Sequence, residues 1–238
     1  MTKSECRMTN FSSFCIPHSS FNLGLMRTVT TFLACLCLSS CGPSSSKTSS
    51  WNLTTAPLVS HWQEADIERN GGITHESDGF TLKDGSPMTG IVFPTWVQYG
   101  LPLINYTINY DAMRVRGTDF FGSATFPVGD AKRCITFVLG GWGGAQVGIS
   151  CIDGYDAAEN TTGSSQRLEN GRWYHVRIDV REKELRVLLD DKPIIQTNLH
   201  GRSLSLRAGD ISKCAPFGFA TYGTEGRVRN VVIATLDE

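Results

Sequence analysis

The chain has 238 residues, 22 basic against 23 acidic side chains and a formal charge of −1, with 40% of its residues hydrophobic. A balance of this kind leaves no basic footprint for nucleic acid. The eight cysteines do not describe a disulfide-dense miniprotein either: Cys6, Cys15, Cys35, Cys37 and Cys41 lie in or before one apolar stretch, so only Cys134, Cys151 and Cys214 remain for a globular part.

Residues 1–25 lack helical periodicity and a clear apolar core, and are set aside as a misassigned start, with Met26 the initiator, or as an extended n-region. Residues 26–40 read as an export signal: Met26-Arg27 supplies the positive start, 29–38 a short apolar core, and Leu38-Ser39-Ser40-Cys41 the processing site. The core is about half of the ~20 apolar residues that a membrane-spanning helix needs. The segment resembles a bacterial lipoprotein signal, which implies that Cys41 is acylated and that the partner there is a membrane, reached through a lipid anchor. Gly42 stands where a retention signal would place an acidic residue, and that resemblance points to an outer membrane. Residues 41–51, rich in Ser, have the composition of a flexible tether. Removing residues 1–40 takes away three cations and one anion and moves the formal charge to −3.

From 52 to 238 the pattern is that of one β domain. Glu64-Ala-Asp-Ile-Glu68, read as a strand, points three carboxylates to one face. It resembles the catalytic run of a glycosidase family with a jelly-roll fold, but Ala65 and the polar 69–72 that follow favour a solvated segment. Strand signals follow at 79–83, 89–93, 104–116 and 120–126. Residues 134–139 are almost wholly apolar, whereas Ala145, Val147 and Ile149 alternate with Gln146, Gly148 and Ser150. One strand is therefore expected to be buried on both faces and its neighbour on one, joined through Gly140-Gly-Trp-Gly-Gly144. Tyr174, Val176, Ile178 and Val180 alternate with His175, Arg177, Asp179 and Arg181; the alternation repeats over 185–189 up to Asp190-Asp191-Lys192-Pro193. Further strands are expected at 216–222 and 227–236. A dozen short strands, with no competing amphipathic helix, predict an all-β, two-sheet antiparallel jelly-roll sandwich.

Tyr110-Asp-Ala-Met-Arg-Val-Arg-Gly117, Asp119-Phe-Phe-Gly-Ser-Ala-Thr-Phe-Pro-Val-Gly-Asp130, Gly140-Gly-Trp-Gly-Gly144, the loop 153–160 and Gly171-Arg-Trp-Tyr174 resemble the 3-keto-disaccharide hydrolase-like family. The resemblance runs from about Leu103 to Leu236 and implies a concanavalin-A-like, laminin-G-like jelly roll on an exported protein, with carbohydrate as partner and a hydrolase activity. Residues 51–99 carry little of it.

Trp142, between glycine pairs, could stack on the apolar face of a sugar, or fold back onto the sheet while its glycines serve the turn. Asp153, Asp156 and Glu159, with Asn160, could supply the two carboxylates that glycoside hydrolysis uses. Their oxygens could equally ligate Ca²⁺ or cap turns. His175, on the wet face of its strand, is a candidate ligand contact. His61, His75 and His200 have no partners at zinc-ligand spacing, so no metal or other cofactor is expected beyond that calcium alternative. If the turn pairs 140 with 145, then Cys134 falls opposite Cys151, a disulfide in one reading and two small buried thiols in the other. Two functions follow: a domain that binds or hydrolyses carbohydrate, or a non-catalytic laminin-G-like interaction or structural module of the cell envelope.

Overall fold

Fifteen strands run through residues 48–237, the part of the chain that the computed structural model describes. The signal segment 26–40, Cys41 and most of the tether lie outside the described residues. The strands are β1 (Ser50–Asn52), β2 (Gln63–Glu64), β3 (Ile73–His75), β4 (Gly79–Leu82), β5 (Met88–Val92), β6 (Tyr106–Gly117), β7 (Ser123–Pro127) and β8 (Cys134–Gly140). There follow β9 (Gln146–Ser150), β10 (Ser164–Ser165), β11 (Trp173–Val180), β12 (Glu184–Leu189), β13 (Lys192–Asn198), β14 (Gly218–Tyr222) and β15 (Thr224–Thr235). One sheet runs β13-β12-β11-β6-β15-β4-β3, with β1 also on β15; the other runs β10-β9-β8-β7-β14-β5-β2. Every pairing is antiparallel. This is the expected two-sheet jelly roll.

The period-two pattern explains the layers. Along β11, Tyr174, Val176, Ile178 and Val180 are buried on the same side as Ile108, Tyr110 and Ala112 of β6. The facing sheet contributes Ala124, Phe126, Ile135, Phe137, Leu139, Val147, Ile149 and Phe219 to the same core. Each large side chain buried here is worth about 1.5–3 kcal/mol. Two core tyrosines tie the sheets together, the Tyr106 hydroxyl donating to Pro127 O (2.5 Å) and that of Tyr110 to Gly122 O (2.9 Å).

The alternation of β12 ends where expected: Asp190 and Asp191 both take positive φ (49° and 61°), the conformation of a tight hairpin turn, and β13 follows. Pro193 is tolerated because β13 is an edge strand. Two expectations are corrected. First, β9 is buried on both faces, since the loop 153–163 lies over it; a Cβ on Gly148 would meet Ala157 O at 2.8 Å. Second, the β8–β9 ladder is shifted by one residue. Thr136 faces Ser150, where a 134-to-151 pairing would need it opposite Ile149. Cys134 and Cys151 are accordingly free, not bridged. The Cys134 thiol points to Ala131 O (3.4 Å) and that of Cys151 to Asp156 Oδ1 (3.2 Å). Burial pushes the Cys134 thiol up to about 11 and that of Cys214 up to about 12. Neither is a nucleophile near neutral pH.

Candidate functional site

On the outer face of the seven-stranded sheet, alternate residues of β7, β8 and β9 present Ser123, Thr136, Val138 and Ser150 away from the core. Both ends of this face are covered. At one end Ala65, Ile67, Met88, Cys214 and Ala220 form a second small apolar cluster, with Phe120 and Ile211 against it. Gly90 permits that approach, because a Cβ there would lie 2.8 Å from both the Cys214 sulfur and the Ile67 side chain. At the other end lies the loop 153–163. Between the two covers remains a cavity of about 400 Å³, floored by Ser123, Thr136, Val138 and Ser150 and walled by Trp142, Asp119, Phe120, Tyr222, Arg207 and Asp210.

Trp142 stands on the rim, 49% exposed. The β8–β9 connection holds it there: Gly140, Trp142, Gly143 and Gly144 all have positive φ, with Trp142 at φ 48° and ψ 52°. Two side chains pin this turn from below. Asp119 Oδ2 accepts from Gly143 N (3.1 Å) while its Oδ1 accepts from Phe120 N (2.8 Å), and Arg114 Nη1 donates to Gly144 O (3.1 Å). A substituent on Gly144 would collide with that guanidinium, its Cβ lying 2.8 Å from Nη1. Across the cavity Tyr222, 43% exposed, packs its ring 5.7 Å from that of Phe120. The floor is hydroxylic: Thr136 Oγ1 is 2.9 Å from Thr125 Oγ1, and Ser150 Oγ donates to Asp156 Oδ1 (2.6 Å).

The residues singled out from the sequence fare differently. Asp156 reaches the groove through Arg207, whose Nη1 is 3.2 Å from Asp156 Oδ2 and whose guanidinium carbon lies 5.7 Å from the Trp142 ring centroid. Glu159 accepts from Asp156 N at 3.3 Å. Asp153 is turned aside, accepting from Ser203 N (2.8 Å) and Arg202 Nε (2.5 Å). The amide of Ser203 and the Arg202 guanidinium hold its carboxyl below the ordinary range, the opposite of what a general acid needs. Asn160 is spent on the loop itself: its amide donates to Ile149 O (2.7 Å) and Asp156 O (2.9 Å), and its oxygen accepts from Thr162 N (2.9 Å) and Oγ1 (2.5 Å). His175 is wet, as its strand pattern requires, but on the other sheet, 3.0 Å by Nδ1 from Asp111 Oδ1. It shares no surface with Trp142. The run 64–68 leaves the sheet after Glu64, which accepts from Ile73 N (3.1 Å), while Ile67 enters the small apolar cluster. Glu64, Asp66 and Glu68 are all exposed while Ala65 and Ile67 are buried, as a solvated segment requires. Among the described residues no group of three or more His, Cys, Asp or Glu side chains converges as a metal site.

Arg207, Asp119, Asp210, Phe120 and Tyr222 were not singled out from the sequence. Asp119 and Phe120 sit beside a strand run, and Arg207 and Asp210 in a loop without any motif; only the three-dimensional fold joins them.

No family model and no curated protein matches this chain. Solved structures do. The Crh5 transglycosylase in complex with NAG superposes with a TM-score of 0.52 at 10% identity, over 81% of this chain and 85% of that one. The carbohydrate binding module CBM66 from Bacillus subtilis gives a TM-score of 0.47 at 14% identity, over 72% of this chain and 93% of that one. Domain 4 of AbnA, a GH43 extracellular arabinanase from Geobacillus stearothermophilus, gives 0.44 at 15% identity, over 79% and 82%. What is shared with the transglycosylase is the jelly-roll fold.

Proposed function

We propose that this protein is an exported envelope lipoprotein, anchored through Cys41, whose jelly roll binds carbohydrate in the groove beside Trp142. The observation that carries this reading is the half-exposed indole, fixed in a left-handed turn above a floor of hydroxyl groups. A flat aromatic gives a sugar ring an apolar platform, and the hydroxyls supply the few polar contacts that orient a ligand in a pocket of about this size. Structural neighbours that include a carbohydrate binding module and a transglycosylase support the reading at the level of fold.

Binding is favoured over the hydrolysis that the 3-keto-disaccharide hydrolase-like resemblance implies. A glycosidase needs a carboxylic acid held protonated beside a second carboxylate. Here Asp153 is drawn away by Arg202, and both oxygens of Asp156 are engaged by Ser150, Cys151 and Arg207. On a glycan array the protein is expected to bind at least one oligosaccharide, and Trp142→Ala to weaken that binding about tenfold, or 1.4 kcal/mol. Equal binding by the variant would remove the groove from the function. The anchor has its own test: the wild-type protein should sediment with membranes and Cys41→Ser should be recovered in the soluble fraction. Membrane association that survives the substitution would sink the lipid anchor.

A further inference from the structure

The charges around the groove are unevenly answered. Arg207, the one cation lining it among the described residues, is already paired with Asp156 at 3.2 Å. Of the two carboxylates lining it, Asp119 receives two backbone N–H groups, at 2.8 and 3.1 Å. Asp210, the first residue of the 3-10 turn Asp210–Cys214, is exposed and its carboxylate has no ion-pair or hydrogen-bond partner among the described residues. Aromatic walls, a hydroxyl floor and one unanswered carboxylate together describe a ligand with apolar ring faces, hydroxyl groups and a positive charge.

We propose that the groove selects glycans carrying free amino groups, hexosamine units whose ammonium pairs with Asp210 while the ring packs against Trp142, and that it turns acidic glycans away. This rests on the carbohydrate reading of the groove and adds its chemical class. An acidic sugar finds no unpaired cation here and meets two carboxylates. A neutral sugar keeps the stacking and the hydroxyl contacts but leaves Asp210 unused. Asp210 is solvent-exposed, so the gain is that of an exposed ion pair, a factor of up to about five, and salt weakens it.

The test compares one skeleton in two charge states. The purified protein is titrated calorimetrically, at about pH 6 where carboxylates are ionised and amines protonated, with a β-1,4-linked glucosamine oligomer, its fully N-acetylated form and an oligogalacturonate. The amine oligomer is expected to bind about threefold to fivefold tighter than the acetylated one, the oligogalacturonate weakest of all, and Asp210→Asn to level the first two. Equal affinity for the amine and acetylated forms, a preference that survives Asp210→Asn, or tightest binding of the oligogalacturonate would each overturn the assignment. If one of these results is obtained while acetylated or other neutral glycans still bind and lose affinity in Trp142→Ala, only the amine selectivity falls. If no glycan of any charge binds, the carbohydrate reading falls and takes the selectivity with it.

Discussion

Arg114→Ala is expected to cost about 3–5 kcal/mol of unfolding free energy and to loosen the turn that carries Trp142. Arg114 is only 5% exposed, and its planar fork is used on every side. Nε donates to Asn170 Oδ1 (2.6 Å), Nη2 to Leu168 O (2.8 Å), and Nη1 to Gly144 O (3.1 Å) and Asp119 O (3.3 Å). The guanidinium also lies 5.1 Å from the centroid of the Phe121 ring. The side chain therefore joins the end of β6 to the segment before β11, to Asp119 and to the glycine turn. Removing it orphans the buried Gly144 carbonyl and three part-buried acceptors at once, the buried one costing about 1–3 kcal/mol and the others less as water reaches them. Arg114→Lys retains charge without the fork and should recover only part of the loss. Urea unfolding of the three proteins decides the matter: an Arg114→Ala midpoint equal to wild type would show that water replaces the network without penalty.

That arginine also marks the limit of what the sequence discloses. It belongs to a stretch readable as a strand, yet alternation says only whether a side chain points to or from a core, not what meets it there. Tyr174, Val176, Ile178 and Val180 announce β11 because nothing but a half-buried strand spaces four large apolar residues by two. His175 shows the limit within the same strand: its wet orientation is legible, but which sheet β11 joins is decided by pairing with Tyr110 and Asp111 of β6, and that places it on the opposite side of the sandwich from Trp142. The edge strands β2, β3 and β10 are two or three residues long and carry no period to detect. The register between β8 and β9 differs by one residue from the one that the turn spacing predicts, because the turn contains four positive-φ positions and the bridge at Gly141 and Gln146 is offset from the ladder below it.

The acidic loop makes the same point about chemistry. Asp, Asn and Glu at 153, 156, 159 and 160 look like a catalytic or ligating set when written in a row. Folding disperses them because each meets a different donor: Ser203 and Arg202 for Asp153, Ser150 and Arg207 for Asp156, Thr162 for Asn160. Their shared effect is to lay the loop over β9 and close one end of the outer face. Loop carboxylates that organise backbone are common; what the sequence could not display is Asp210, which lies about fifty residues further on and comes into the cavity wall only through the 3-10 turn above Gly90.

Trp62→Ala is expected to be as damaging as the loss of Arg114, about 3–5 kcal/mol, out of a total stability that for domains is about 5–15 kcal/mol. The family resemblance begins near Leu103 and says little of residues 51–99, although the strand pattern counts them in the same β domain. The packing makes them part of the core. The indole of Trp62, 5% exposed, lies with its ring centroid 5.2 Å from Phe80, 5.4 Å from Phe93, 5.7 Å from Phe217 and 5.8 Å from Phe219. Its N–H donates to Leu53 O at 2.8 Å. One side chain thus joins the N-terminal segment, β4 and β14, and truncation would empty a volume that four aromatic rings cannot refill without leaving their own contacts. The same segment supplies β4, which pairs with β15, and β5, which pairs with β14, so deleting it would expose long edges in both sheets. A fragment spanning 103–238 should therefore fail to fold, and Trp62→Ala should lower the denaturation midpoint sharply while Trp62→Phe, which keeps most of the volume but not the N–H, lowers it less. A soluble, cooperatively unfolding 103–238 fragment would show instead that the core is complete without the first five strands.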